Sequence, residues 1–272
     1  MSVHTAPTVQ LKPHRRGPVS VLVTAVVVIA LALGTAFLVR GAGSTSSTTV
    51  AADASETSVL VYDRTQDRVL RAEGTDARFR SASLVKVIIA LDLVQRGKVT
   101  SDRPSPRVAR MLAASDDVIA SALWQSGGGP DIVHRVAQSL SLTATEPPAD
   151  SSRWGDTLLS ASDMVTVYRA VLALPADQRR LILDPLRAAE RVAADGTDQF
   201  FGIPDALPGV PRAIKQGWAA GRGGVDAHTS GVVGNGDRYI VVVLSHRPGG
   251  TPMQTAMAEV TVATAAVKSL LS

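Results

Sequence analysis

Cysteine is absent from the 272 residues. No disulfide, thiolate metal site, cysteine nucleophile or cysteine-linked lipid anchor can be built from them. Lysine is scarce, with five, at positions 12, 86, 98, 215 and 268, against 23 arginines. Arginine keeps its proton at any useful pH and lysine can release it, so the positions given to lysine bear on chemistry. A basic excess on the folded part is also missing. Residues 1–42 hold Lys12, Arg15, Arg16 and Arg40 and no acid, which accounts for the whole formal charge of +4. A nucleic-acid binder carries its basic excess on the domain itself, so no nucleic-acid partner is expected. No Gly-x-Ser-x-Gly elbow occurs, which argues against a Ser-His-Asp hydrolase. His134 and His228 have no metal-ligand spacing, so no metal site is expected.

One long apolar run is present. Val19–Val39 is uncharged over 21 residues and follows Lys12, Arg15 and Arg16, long enough to cross a bilayer as a helix. The basic flank stays in the cytoplasm and puts the C-terminal bulk outside. The expected organisation is a cytoplasmic tail (1–18), a membrane anchor (19–39), a flexible Ser/Thr-rich linker (40–57) and one folded domain (58–272). A cleaved signal segment, giving a secreted domain, is the competing reading of 19–39. Leu38-Val39-Arg40 is a poor small-residue cleavage site.

Within the domain, Ser58–Tyr62 and Val69–Ala72 read as strands joined by a turn. Leu84–Val94 is apolar on nearly every side and reads as a buried helix, with Ser83 at or near its N-cap. Arg107–Ala114, the stretch from Ser115 or Asp116 to Trp124, Pro130–Leu140 and the stretch from Ser160 or Ser162 to Leu174 read as helices, as does Pro175–Arg191 with a break at Pro185. After Pro204–Pro211 the pattern becomes β, with strands at Ala213–Ala219, His228–Val233 and Tyr239–His246. Met257, Val260, Ala263, Val267 and Leu270 mark one face of a closing helix. The fold class expected is α+β: an antiparallel sheet built from both chain ends, flanked by helices, with an inserted all-helical lobe.

Ser83 and Lys86 lie one helical turn apart on one face. Burial and the helix N-terminus both disfavour the ammonium, so Lys86 is placed to take a proton from Ser83. Ser115-Asp116-Asp117 stands at a helix break, and Lys215-Gln216-Gly217 on a strand. In this order the three motifs resemble the Ser-x-x-Lys, Ser-Asp-Asn and Lys-Thr-Gly set of the penicillin-recognising serine hydrolases, the class A β-lactamases and D,D-peptidases. The resemblance covers roughly Ser58–Ser272. It implies acyl transfer on a β-lactam or a peptidoglycan peptide, with no metal or organic cofactor. Ser83 would be the nucleophile, Lys86 its proton acceptor, and Ser115 a relay toward the leaving nitrogen. Lys215 would supply positive potential to the substrate carboxylate, and the backbone N–H groups of Ser83 and Trp218 an oxyanion hole. Asp117, Gln216, Gly217 and Trp218 complete the expected substrate-binding set.

Two positions depart from the family. Asp117 replaces an amide with a charge, which would hold Lys86 protonated, and Gln216 replaces a hydroxyl. Glu146 lies in the loop where class A enzymes keep the glutamate that activates the deacylating water. Two rival readings stay open: a degenerate, non-catalytic member that binds peptidoglycan or a partner, and an esterase or amidase of the same fold.

Overall fold

The computed structural model describes residues 56–221 and 223–271. The expected tail and anchor, and all but the end of the expected linker, lie outside the described residues. Glu56 and Thr57, assigned to the linker by sequence, already belong to the first strand. Among the described residues no helix is long and apolar enough to cross a membrane.

In chain order the strands and helices are β1 (Glu56–Asp63), β2 (Arg68–Glu73), β3 (Phe79–Arg80), α1 (Val85–Gln95), α2 (Pro106–Ala113), α3 (Asp117–Gly127), α4 (Pro130–Leu140), β4 (Leu158–Leu159), α5 (Ala161–Ala173), α6 (Ala176–Arg187), α7 (Ile203–Ala206), β5 (Arg212–Gly221), β6 (Gly224–Val233), β7 (Tyr239–Arg247) and α8 (Met253–Ala265). Five strands form one sheet in the order β2-β1-β7-β6-β5, every neighbour antiparallel. The N-terminal hairpin therefore pairs with the C-terminal meander, and the helices between them form the expected inserted lobe.

The central strand β7, YIVVVLSHR, opens with a continuous apolar run, YIVVVL, rather than an alternating one. Helices cover both sheet faces, so both sets of side chains are buried. Leu60, Val242 and Leu244 face the core shared with α1 and α5, and Val61, Val241 and Val243 face α8. β2 lies at the edge and carries Arg68, Arg71 and Glu73, charges that discourage pairing with another chain.

Helix α1 is the axle of the lobe. It touches α2 through α6, and every residue from Val85 to Val94 is buried. Burial on all sides explains why its apolar residues show no face. Buried Asp92 on this helix is held by a two-pronged contact from Arg135 at 2.7 and 2.9 Å. Three helix starts follow from capping: Ser105 accepts from the Val108 N–H, Asp116 from that of Ile119, and Ser160 from that of Asp163. The expected break at Pro185 does not occur. The proline sits inside α6, whose last residue is Arg187, so the ring interrupts little of the helix beyond it.

Asp63, at the end of β1, is buried and accepts from Arg238 (3.1 and 2.8 Å), the Thr65 N–H and hydroxyl (2.8 and 2.7 Å) and the Gln66 N–H. The Arg238 guanidinium, helped by Thr65, holds this carboxyl well below the ordinary range. A depressed carboxylate pKa contributes stability that is complete above the unfolded value, about pH 4, and is lost as pH falls through the folded value. Asp63→Asn is therefore expected to be less stable than wild type at pH 7, with the difference shrinking steadily below about pH 4. Urea denaturation across that range measures it.

Candidate active site

Ser83 lies in a single 3₁₀ turn, Ala82–Leu84, that leads into α1. Ser83 stands next to the N-cap of α1, Leu84, near the start of the helix as expected, but its hydroxyl makes no capping hydrogen bond. Ala82, just before it, has a positive φ of 45°. Lys86 sits in the first turn of α1, fully buried, and its Nζ lies 2.8 Å from Ser83 Oγ. The same nitrogen lies 2.7 Å from the Ser115 carbonyl, 3.1 Å from Ser115 Oγ and 2.5 Å from Asp117 Oδ1. An ammonium has three hydrogens for these four acceptors. With the neutral amine the count closes differently, because the nitrogen lone pair can accept the Ser83 O–H.

Ser115 occupies the break between α2 and α3 in a left-handed conformation, φ 53°. That bend brings its carbonyl and its hydroxyl to the same lysine. Lys215 also reaches Ser115, donating to its Oγ at 2.9 Å and to the Gln216 carbonyl at 3.0 Å. It too is buried. The structure thus brings together Ser83, Lys86, Ser115, Asp117 and Lys215, drawn from three separate parts of the chain.

Gly217 supplies closeness. A Cβ there would lie 3.0 Å from the Ser81 carbonyl and 3.4 Å from Ala82 Cβ, so glycine lets β5 lie against the serine turn without crowding it. Trp218 follows at the mouth, its indole N–H donating to Asp195 Oδ2 at 3.1 Å. A cleft of about 340 Å³ opens over Ser83, lined by Asp117, Trp154, Asp156, Trp218 and Ala219 among others. Among the described residues no three histidine or acidic side chains converge as metal ligands.

Burial lowers the Lys86 pKa below the ordinary lysine value, and Asp117 opposes the shift without reversing it. The expectation that Asp117 would keep the ammonium intact is therefore only half met: the carboxylate pulls that way, but desolvation is the larger effect. Lys215 is pushed further down, by complete burial and then by the nearby Lys86.

Two expected residues are elsewhere. The Gln216 side chain points to the other face of the sheet, where its amide donates to the Phe201 carbonyl and accepts from Thr229 Oγ1 at 2.8 Å. Adjacent strand residues face opposite sides, so Lys215 and Gln216 do not share the cleft. Glu146 pairs with Arg78 at 2.8 Å, is half exposed and does not line the cleft. Sequence reasoning missed Trp154, Arg153 and Asp156, which the loop before β4 brings to the cleft. It also missed Asp195, which accepts from the Trp218 indole and whose charge acts on Lys86 and Lys215. The one available signal was that Trp154 and Trp218 are two of just three tryptophans.

A family profile described as "Beta-lactamase enzyme family" matches residues 107–268. Proteins named "Putative lipoprotein LppW" from Mycobacterium bovis and Mycobacterium tuberculosis are 38% identical over 200 residues, covering 70% of this chain and 63% of the relative. The chain thus spans less than two thirds of these relatives' length. Among solved structures, a class A β-lactamase from Mycobacterium abscessus is 19% identical with a TM-score of 0.61, covering 80% of this chain and 94% of the other. A β-lactamase from Burkholderia vietnamiensis is 20% identical with a TM-score of 0.63, covering 79% and 90%. A variant of PBP-A, solved as an acyl-enzyme complex with penicillin G, is 19% identical with a TM-score of 0.61, covering 80% and 91%. These structures establish the fold.

The lowered Lys215 pKa has a stability signature. Between its folded and unfolded pKa values the unfolded chain binds the extra proton, so stability rises with pH up to about 10. The Lys215→Met variant is expected to lose that rise, and its advantage over wild type to be greatest at the low end of the window. Denaturant titrations at stepped pH measure both.

Proposed function

The chain belongs to the β-lactamase enzyme family, and on that premise we propose that its folded domain is a serine hydrolase that acts by acyl transfer through Ser83. One observation carries the reading: a buried lysine nitrogen lies within hydrogen-bond reach of two serine hydroxyls, one of which a second buried lysine also contacts. Such a placement needs a reason, because each buried amine costs several kcal/mol when charged.

In the proposed reaction Lys86 accepts the Ser83 proton as Oγ attacks the carbonyl of an amide, forming the C–O bond. Negative charge moves to the carbonyl oxygen, toward the backbone N–H groups of Ser83 and Trp218; donors so placed contribute roughly 3–4 kcal/mol to lowering the barrier. Collapse breaks the C–N bond, and the proton passes from Lys86 through Ser115 to the leaving nitrogen. An acyl-Ser83 ester remains, and water hydrolyses it. The substrate class proposed is a β-lactam or a cell-wall peptide. Deacylation is the slow step. Asp117 and Asp156 are the carboxylates lining the cleft among the described residues; the first is engaged by Lys86 and the second by Arg153 at 2.5 Å. Glu146 is turned toward Arg78, so none of these three carboxylates is free to activate the water.

The proposed setting is extracytoplasmic, with residues 19–39 as a single-pass anchor and 40–55 as a spacer. The hydropathy and the basic flank support it. The name of the mycobacterial relatives, a lipoprotein, supports attachment to a membrane by a different route, since this chain has no cysteine to carry a lipid.

Incubation with a fluorescent penicillin is expected to leave one adduct per chain, on the peptide containing Ser83, with slow turnover after the first equivalent. Absence of any adduct, or an equal adduct in Ser83→Ala, defeats the reading. Asp117→Asn removes the charge that favours the Lys86 ammonium. It is expected to move the rising limb of the acylation pH–rate profile to lower pH and raise the rate at pH 7 by about tenfold.

A further inference from the structure

We infer that His228 is a positioning residue: from β6 it holds the turn that carries Ser83 against β5, and so fixes Ser83 relative to the Trp218 backbone. The inference rests on the acyl-transfer reading only for its consequence in rate; the geometry stands by itself.

The imidazole is fully buried. Its Nδ1 receives the Ser245 backbone N–H at 3.2 Å, and its Nε2 lies 2.8 Å from the Arg80 carbonyl. A backbone N–H can only donate and a carbonyl can only accept. One protonation state satisfies both contacts, the neutral ring with its hydrogen on Nε2. A proton on Nδ1 would face the Ser245 N–H and leave two donors head to head in a fully buried site. The ring is therefore a directed strut running from β7 through β6 to the Arg80 carbonyl, three residues before the nucleophile.

Position turns that strut into an alignment device. His228 stands directly opposite Gly217 in the β5–β6 register. A Cβ on Gly217 would lie 3.3 Å from the ring's Cδ2 as well as 3.0 Å from the Ser81 carbonyl. The missing side chain leaves a gap beside which the imidazole reaches the serine turn. Phe79 closes the ring edge-on, with centroids 6.1 Å apart. A second tie reinforces the first: the Arg80 guanidinium pairs with Asp226 on β6 at 2.6 Å. These two residues are the charged groups that face His228, and each neutralises the other. On the far side, the Ser81 N–H donates to the Thr157 carbonyl at 2.7 Å. Arg80–Ser83 is thus pinned to the strand that pairs with the one carrying Trp218. The two backbone N–H groups proposed to receive the oxyanion belong to these two segments, and His228 sets their separation.

Two substitutions in the full chain separate this role from plain packing. His228→Leu keeps volume and removes both hydrogen bonds; His228→Gln restores a donor that can reach the Arg80 carbonyl. In the leucine variant, amide hydrogen exchange over residues 79–84 is expected to rise about tenfold with α8 unchanged. Acylation by fluorescent penicillin is expected to slow on the order of a hundredfold, as for an ångström-scale misplacement, while the concentration for half-maximal rate moves little. The glutamine variant should recover most of both losses. Nitrogen NMR of the wild-type imidazole should show hydrogen on Nε2 and none on Nδ1 throughout pH 5–8. A folded leucine variant with unchanged exchange, a glutamine variant as impaired as leucine, or a ring protonated on Nδ1 each overturns the inference. If wild type takes no label, the acyl-transfer reading fails, and the exchange and NMR results still decide the role of His228. If the leucine variant does not fold, the glutamine variant and the NMR spectrum decide it.

Discussion

Two primary amines, Lys86 and Lys215, are buried against one hydroxyl, that of Ser115. Each nitrogen lies about 3 Å from Ser115 Oγ, so the two are within roughly 6 Å of each other. Two full charges at that distance repel by about 3 kcal/mol at an effective dielectric near 20, which disfavours two ammoniums at once. Desolvation acts in the same direction. The site is therefore built so that one proton is cheaply lost, and Asp117 trims that tendency without cancelling it. The chemistry proposed for Ser83 needs this balance more than any single side chain.

Keeping two amines so placed requires a rigid frame from distant parts of the chain. Lys86 hangs on α1, surrounded by helices; Lys215 hangs on β5, the far edge of a sheet closed by strands from both chain ends. The sheet and the lobe meet at the serine turn, where Gly217 permits a contact that a Cβ would crowd. Neither half could hold the site alone.

Much of this was legible from local rules. Ser83 and Lys86 are three apart on a helix whose apolar character predicted its burial. Ser115 beside a capping aspartate marked a helix boundary, and the glycine-containing turn between β6 and β7 gave the meander. What escaped was direction and loop shape. Gln216 follows Lys215 in sequence, yet the pleat sends it to the opposite core, where Phe201 and Thr229 satisfy it. Glu146 sits in a loop of the expected kind, but an ion pair with Arg78 turns it outward. Trp154 and Asp156 reach the cleft through an irregular segment that no periodicity describes. His228 looked inert because its partners are backbone groups, which leave no trace in a pattern of side chains.

The residue before Ser83 carries a tension of its own. A left-handed backbone costs an alanine roughly 1–2 kcal/mol that a glycine would be spared, so Ala82 is a weak point in the architecture. Its methyl group nevertheless helps wall the cleft beside Ser83 and packs toward β5. Easing the backbone would mean removing that wall. At this one position, a sturdier domain and a better-walled cleft ask for different amino acids.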